Sequence, residues 1–230
     1  MAATGDHSMS LFARLQEDAA ALREQVQTHP FVVGLGDGSL PGDRYQFYLR
    51  QDYRFLSEYC RVLALAVARA DDLATAARFA DVLNLTLNVE MDLHRETCWA
   101  AGISPEALED TRPAPSTQAY TNHLRLVAET GDLAAILAAV LPCAYGYWEI
   151  ACRLRTGGLP EAQPLYANWI RLYTSEEYGA MAQWMAGLFD RLAADLPPSR
   201  EAALRDVYLA SQRYEYLFWE MAWRMEEWSI

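Results

Sequence analysis

Four side chains pair a reactive type with an unusual position. Cys143 and Tyr147 stand four residues apart in the apolar, aromatic stretch 141–150. That stretch reads as helix, so the thiol and the phenol share a face. Pro142 suits the first position of a helix, where no backbone donor is needed. Such a start would put Cys143 in the first turn, where free N–H groups and the helix dipole favour a thiolate. A nucleophile is one reading; a buried core thiol is the other and, on this stretch alone, the commoner one. Asp52 falls inside an apolar helical stripe, at i+3 and i+4 from Leu49 and Tyr48. An unpaired buried carboxylate is costly, so Asp52 is either salt-bridged, to Arg50 or Arg54 of a neighbour, or aimed into a pocket. Glu220 is the single charge in Tyr216-Leu217-Phe218-Trp219-Glu220-Met221-Ala222-Trp223. Aromatic surroundings push carboxyl groups toward neutral titration, which suits a general acid or base. Pairing with Arg213 or Arg224 at the surface is the alternative.

Two further patterns call for a decision. Glu90-x-x-x-His94 places a carboxylate and an imidazole on one helix face, half of what a di-iron bundle site needs. The other histidines are His7, His29 and His123, and none supplies a second pair. A hydrogen-bonded Glu–His pair inside a bundle is therefore expected. Gly34, Gly36 and Gly38 form G-x-G-x-G, but no strand precedes it and no G-K-[ST] follows, so a phosphate loop is rejected in favour of turn glycines.

Helices must carry these residues. Leu11, Phe12, Leu15, Ala19, Leu22 and Val26 mark a first one over about 9–28. His29-Pro30 ends it, because the residue before proline is pushed out of the α region. A long amphipathic helix over about 43–69 carries Tyr45, Tyr48, Leu49, Asp52, Phe55, Leu56, Tyr59 and Leu63. Another runs from Asp71-Asp72 to about 102, before a proline-rich loop over 103–115. Ser116 is placed to cap a helix with Tyr120, and Gly131-Asp132 restarts one toward Pro142 and on to about 156, where Gly157-Gly158 stops it. Pro164 opens a helix with Trp169, Ile170 and Tyr173. Thr174-Ser175 caps the next, and Pro197-Pro198-Ser199 precedes the last, about 199–227. No segment alternates with period two, so no sheet is expected. The reading is an all-α, single-domain helical bundle of about seven to nine helices over 9–230, behind a disordered leader at 1–8.

Composition narrows the function. The 230 residues are 52% hydrophobic, enough for a sizeable core. Thirty-one acidic against 19 basic residues give a net charge of −12, which argues against nucleic acid and against an anionic membrane surface. No window of about 18 residues is apolar and free of charge, and no signal-peptide core is visible. Cys60, Cys98, Cys143 and Cys152 show no C-x-x-C spacing, as reduced thiols of a cytoplasmic protein would.

Four segments together resemble the TenA/thiaminase II family of aminopyrimidine aminohydrolases, of haem-oxygenase-like all-α fold. They are His29-Pro30-Phe31 with Gly38-x-Leu40; Tyr48-Leu49-x-Gln51-Asp52-Tyr53; Leu141-Pro142-Cys143 with Tyr147-x-Glu149; and Phe218-Trp219-Glu220-Met221-Ala222. The resemblance spans about 9–228. It implies Cys143 as nucleophile, Glu220 as the acid/base that protonates the pyrimidine ring, and Asp52 as the carboxylate on the aminopyrimidine edge. It implies Tyr147, Tyr120 and Tyr173 as site-lining phenols and Phe55 as the ring that stacks on the pyrimidine. The implied reaction hydrolyses 4-amino-5-aminomethyl-2-methylpyrimidine, and thiamin, to the 5-hydroxymethyl compound in thiamin salvage. No metal or organic cofactor is needed, the partner is a small-molecule pyrimidine, and the implied assembly is a homotetramer. This sequence departs from the family in Ala144-Tyr145-Gly146, where bulkier aromatics are usual, and in Ile150-Ala151 after Glu149, where a glycine is usual. Alternatives on the same fold are a di-iron or haem oxidase and a non-enzymatic regulatory protein.

Overall fold

A computed structural model describes residues 9–229 as helices and connections, with no strand among the described residues. The expected leader over 1–8 lies outside them. In chain order the helices are α1 (Leu11–Asp18), α2 (Ala20–Gln27), α3 (Pro30–Asp37), α4 (Gly42–Arg69) and α5 (Leu73–Leu85). A π-helical turn, Thr86–Glu90, joins α5 to α6 (Met91–Ala100). There follow α7 (Pro105–Glu109), α8 (Pro115–Thr130), α9 (Leu133–Thr156), α10 (Pro164–Tyr173), α11 (Glu176–Ala193) and α12 (Pro198–Arg224). The count among the described residues exceeds the expected seven to nine because two long runs are interrupted, at Ala19 and at the π turn, because the glycine-containing stretch after His29 forms α3, and because the proline-rich loop holds the short α7.

The core helix is α9. It packs against α12, α11, α10 and α8, and it is buried along most of its length. Asp132 caps it by accepting from the Ala135 N–H at 2.9 Å, and Arg153 and Arg155 in the last turn complement the dipole. By length and composition α9 could cross a membrane, yet most of its apolar window is packed inside the protein.

Two expectations fail here for packing reasons. Pro142 does not start a helix: it lies inside α9, because Asp132 supplies the start ten residues earlier and the apolar run continues straight through. Cys143 is thus in mid-helix, away from the dipole's positive end. Gly34 and Gly36 are not turn residues either, since α3 runs through both. A Cβ on Gly36 would stand 2.6 Å from Leu154 Cδ2, and one on Gly34 would stand 3.1 Å from the Leu40 backbone. These glycines let α3 approach its neighbours, and only Gly38, at φ +83°, is the turn glycine.

Four elements face one another around the site. On α4, Tyr48, Asp52, Phe55 and Tyr59 follow at spacings of four, three and four, so they share a stripe that is almost wholly buried. Cys143 and Tyr147 face them from α9, as their spacing requires. On α12 the buried stripe is Tyr208, Gln212, Glu215, Trp219 and Ala222. Gln51 fastens α8 to α4: its amide oxygen accepts from the Ala114 N–H and the Thr117 hydroxyl, both at 2.8 Å. Tyr120 follows Thr117 on the next turn of α8. The helix begins at Pro115, with Ala114 rather than Ser116 before it.

Candidate active site

A small cavity lies between α4, the π-helical turn, α9, α10 and α11, with Tyr120 of α8 and Glu215 of α12 outside its lining. It encloses about 20 Å³, room for roughly one water. Asp52, Phe55 and Tyr59 of α4, Thr86 and Glu90 of the π turn, Cys143 and Tyr147 of α9, Tyr173 of α10, and Tyr178 and Met181 of α11 line it. A cleft of about 500 Å³ shares Asp52, Glu90 and Tyr173 with this cavity and continues outward past Tyr48, His94 and Trp169. No arginine or lysine lines the small cavity.

The structure thus brings together five of the seven residues singled out in the sequence: Asp52, Phe55, Cys143, Tyr147 and Tyr173. Tyr120 lies one layer behind. Its ring packs on Phe55 at 5.1 Å between centroids, and its hydroxyl donates to Glu215 Oε1 at 2.6 Å. Glu220 is not brought to the group. Its Oε2 meets His29 Nε2 at 3.0 Å and its Oε1 meets Arg224 at 2.5 Å, on the outer side of α12. Five helical residues rotate a side chain by about 140°, so Glu215 and Glu220 cannot face the same way. Of the aromatic neighbours in the run, Phe218 and Trp219 are buried while Tyr216 and Trp223 are half-buried, and Glu220 is beside the core-facing stripe rather than on it.

Glu215 is the carboxyl that the sequence reading missed. It is 3% exposed and directed inward. The signal was available in the alternating four- and three-residue spacing of Tyr208, Gln212, Glu215, Trp219 and Ala222. Tyr59, Thr86, Tyr178 and Met181 were also missed. Each is ordinary core by type, and only the packing of α4, α11 and the π turn shows that it borders a cavity.

Three carboxyl groups dominate the electrostatics. Burial pushes Glu215 up to about 7, against the hydrogen bond from Tyr120. Burial likewise pushes Glu90 up to about 7, opposed by the Thr86 and Tyr173 hydroxyls. Asp52 is held well above the usual carboxylate range, first by burial and then by the fields of Glu90 and Glu215. The Cys143 thiol is raised as well, by burial and then by Glu215, Asp52 and Glu90. Nothing among these groups favours a thiolate, contrary to the expectation drawn from a helix start. A bound cation would reverse this, since it would offset all three carboxyl groups at once.

The expected Glu90–His94 pair does not form. His94 Nε2 donates to the Leu49 carbonyl at 2.8 Å, which leaves Nδ1 as a bare acceptor 3.6 Å from Asp52 Oδ2. Burial pushes the imidazole down to about 4, so it is neutral. The Tyr48 hydroxyl, which accepts from the Trp169 indole N–H at 3.1 Å, opposes the rise of Asp52. Among the described residues Asp52 has no arginine partner. A protonated carboxyl offers one donor and one acceptor side by side. That is the complement of an amino group next to a ring nitrogen, and the aromatic walls suit a flat ring. The arrangement can therefore orient a protonatable aminoheterocycle against a thiol.

Comparison with known proteins fits this geometry. The TENA/THI-4/PQQC family model matches residues 17–225. The chain is 42% identical to an aminopyrimidine aminohydrolase from Halalkalibacterium halodurans, over 96% of this chain and 99% of that one. A crystal structure of a TenA family transcription regulator from Silicibacter sp. TM1040 superimposes with a TM-score of 0.85 at 32% identity, covering 92% of this chain and 96% of the other. Heme oxygenase 2 from Chlamydomonas reinhardtii, at 19% identity and a TM-score of 0.63 over 92% of this chain and 97% of that one, shares the fold. The bundle is of haem-oxygenase-like architecture, and the chain belongs to the TENA/THI-4/PQQC family.

Proposed function

We propose that this protein is an aminopyrimidine aminohydrolase that hydrolyses 4-amino-5-aminomethyl-2-methylpyrimidine, and thiamin, to 4-amino-5-hydroxymethyl-2-methylpyrimidine in thiamin salvage. The observation that carries the reading is the convergence of the Cys143 thiol and the Asp52 carboxyl on one aromatic-walled cavity. Its relative from Halalkalibacterium halodurans bears that activity in its name.

The residues divide the work as follows. Asp52 takes the amino group and the neighbouring ring nitrogen. Phe55 and the Tyr147 and Tyr173 rings hold the pyrimidine plane and keep water out. Glu215, in the role first expected of Glu220, supplies the proton that makes the ring electrophilic, and Tyr120 orients it. The carboxylate left on Glu215 then takes the proton of Cys143, so the ring keeps its positive charge as the thiolate forms. The sulfur then adds to the ring, and the C–N bond to the exocyclic carbon breaks with its electron pair going to nitrogen. Water adds at the exocyclic carbon, and expulsion of the thiolate restores the aromatic ring. Each step is an addition or elimination with no net redox change.

Four unpaired thiols support a cytoplasmic location. Leu85, Val89 and Leu93, exposed at four-residue spacing, support assembly into the homotetramer. Sedimentation should then give four times the 26.0 kDa chain mass.

The deciding experiment incubates the wild-type protein with the aminomethylpyrimidine and, separately, with thiamin. The hydroxymethyl product should appear from both, with ammonia released from the first. If neither is consumed, the assignment is wrong.

A further inference from the structure

Glu90 occupies a place that the reaction outlined above leaves unused. It ends the π-helical turn, a distortion that often marks functional positions. It lines the small cavity beside Cys143 and the large cleft beside Asp52. It also lines a separate apolar groove of about 280 Å³ bounded by Val82, Leu85 and Met181. Among the described residues it is the one side chain common to all three spaces. Any substituent that projects from a ring held between Asp52 and Cys143 toward the outside must pass it.

We propose that Glu90 is the specificity-determining carboxylate for the substituent that leaves, pairing with its positive charge while Asp52 and Cys143 hold the ring. This rests on the aminopyrimidine reading of the site. Three observations support it. Among the described residues no arginine or histidine forms a salt bridge with Glu90, so its charge is uncommitted, and the Thr86 and Tyr173 hydroxyls only oppose the effect of burial. No basic side chain lines the small cavity to compete for it. Its carboxyl, pushed up to about 7, ionises readily when a cation arrives. The substrates fit this demand: an aminomethyl group is an ammonium near neutral pH, a thiazolium carries a fixed charge, and the hydroxymethyl product carries none. Loss of the charge on conversion would then weaken the product's hold on the site and favour its release.

The test measures binding in a Cys143→Ala background, where turnover cannot interfere. Dissociation constants of the 5-aminomethyl and 5-hydroxymethyl pyrimidines are compared with and without Glu90→Gln. The expected result is a loss of roughly 10- to 100-fold for the aminomethyl ligand, the value of one charge-assisted hydrogen bond, and less than about threefold for the hydroxymethyl ligand. Glu90→Asp keeps the charge and should retain part of the discrimination. An equal loss for both ligands, or no loss for either, overturns the proposal. If the hydroxymethyl compound binds well but the Cys143→Ala protein shows no preference for the aminomethyl one, Glu90 is not a charge reader although the aminopyrimidine reading stands. If neither ligand binds while the wild-type protein still turns over the aminomethylpyrimidine, the Glu90 proposal falls alone; if the wild-type protein consumes neither substrate, the aminopyrimidine reading falls with it.

Discussion

Glu215 and Glu220 lie five residues apart on α12, and the contrast between them shows what makes a carboxyl functional in this bundle. Glu220 has the more aromatic sequence neighbourhood, yet it sits beside Arg224 and caps the buried His29 ring from outside. Glu215 has an arginine two residues before it in the sequence, yet its partner is the Tyr120 hydroxyl and its charge falls on Cys143 and Asp52. Helix phase decides the matter. Residues on the inward stripe share the site, and residues one step off it share the surface, whatever their immediate neighbours are.

The largest effects should come from the inward set. Cys143→Ala is expected to lower kcat by about a thousandfold or more, since it removes the covalent route altogether. Cys152 is nine residues on, about half a turn out of phase, and Cys152→Ala should leave kcat unchanged. An alkylating pyrimidine analogue should accordingly label Cys143 and spare Cys152, as read by peptide mass mapping. Glu215→Gln comes next, with a drop in kcat of roughly 10²- to 10⁴-fold, the usual worth of a positioned acid/base group. If Glu215→Gln keeps normal turnover, the proton comes from elsewhere and the comparison loses its mechanistic half.

Much of this was legible before any coordinates. The period of apolar residues gave the long helices. The caps at Asp72, Asp132 and Ser175 are where turn chemistry placed them. Asp52 is anomalous on its stripe, and the structure buries that carboxyl with no arginine partner among the described residues. What stayed hidden depends on neighbours distant in sequence. Pro142 looked like a helix start because a missing N–H is easiest to tolerate there, but a helix already begun at Asp132 can carry it. Gly34 and Gly36 looked like turn residues because the partner they approach, Leu154 or Leu40, is not visible from the glycines themselves. Local composition points to Glu220, whereas phase along the whole of α12 points to Glu215.

A smaller effect follows from how burial treats the inward carboxyls. Glu215 titrates near 4.5 without burial and is pushed up to about 7 in the fold. Between those values the folded protein binds more protons than the unfolded chain, so stability is greatest at the acidic side and falls as pH rises, then levels above about 7. One such group contributes a slope of at most ~1.4 kcal/mol per pH unit. Glu90 and Asp52 act in the same direction. Thermal melts of the ligand-free protein across that window should show the decline, and Glu215→Gln should flatten it without abolishing it. A decline that is identical in the variant would mean that Glu215 is not the buried acid that its surroundings imply.

The smallest effect on activity is expected at Glu220, and it sharpens the comparison most directly. Glu220→Gln removes a charge from the outer face of α12, where the Arg224 partner is 74% exposed and screened by water, so that half of the interaction is worth little. The His29 contact is different, because that ring is 1% exposed and also accepts from the Phe31 N–H to cap α3. Its Nε2 proton can still be accepted by the glutamine amide oxygen, so the bond survives in weaker, uncharged form. The expected cost is therefore about 0.5–1 kcal/mol, a shift of a few degrees in Tm for a chain of this size. Turnover should stay within roughly threefold of wild type, as surface substitutions usually do. The two variants would thus separate cleanly, one losing rate with little stability and the other stability with little rate. A Glu220→Gln protein that melts normally but loses a hundredfold in kcat would reverse the assignment of the two carboxyls, and would require the end of α12 to rotate inward when the pyrimidine binds.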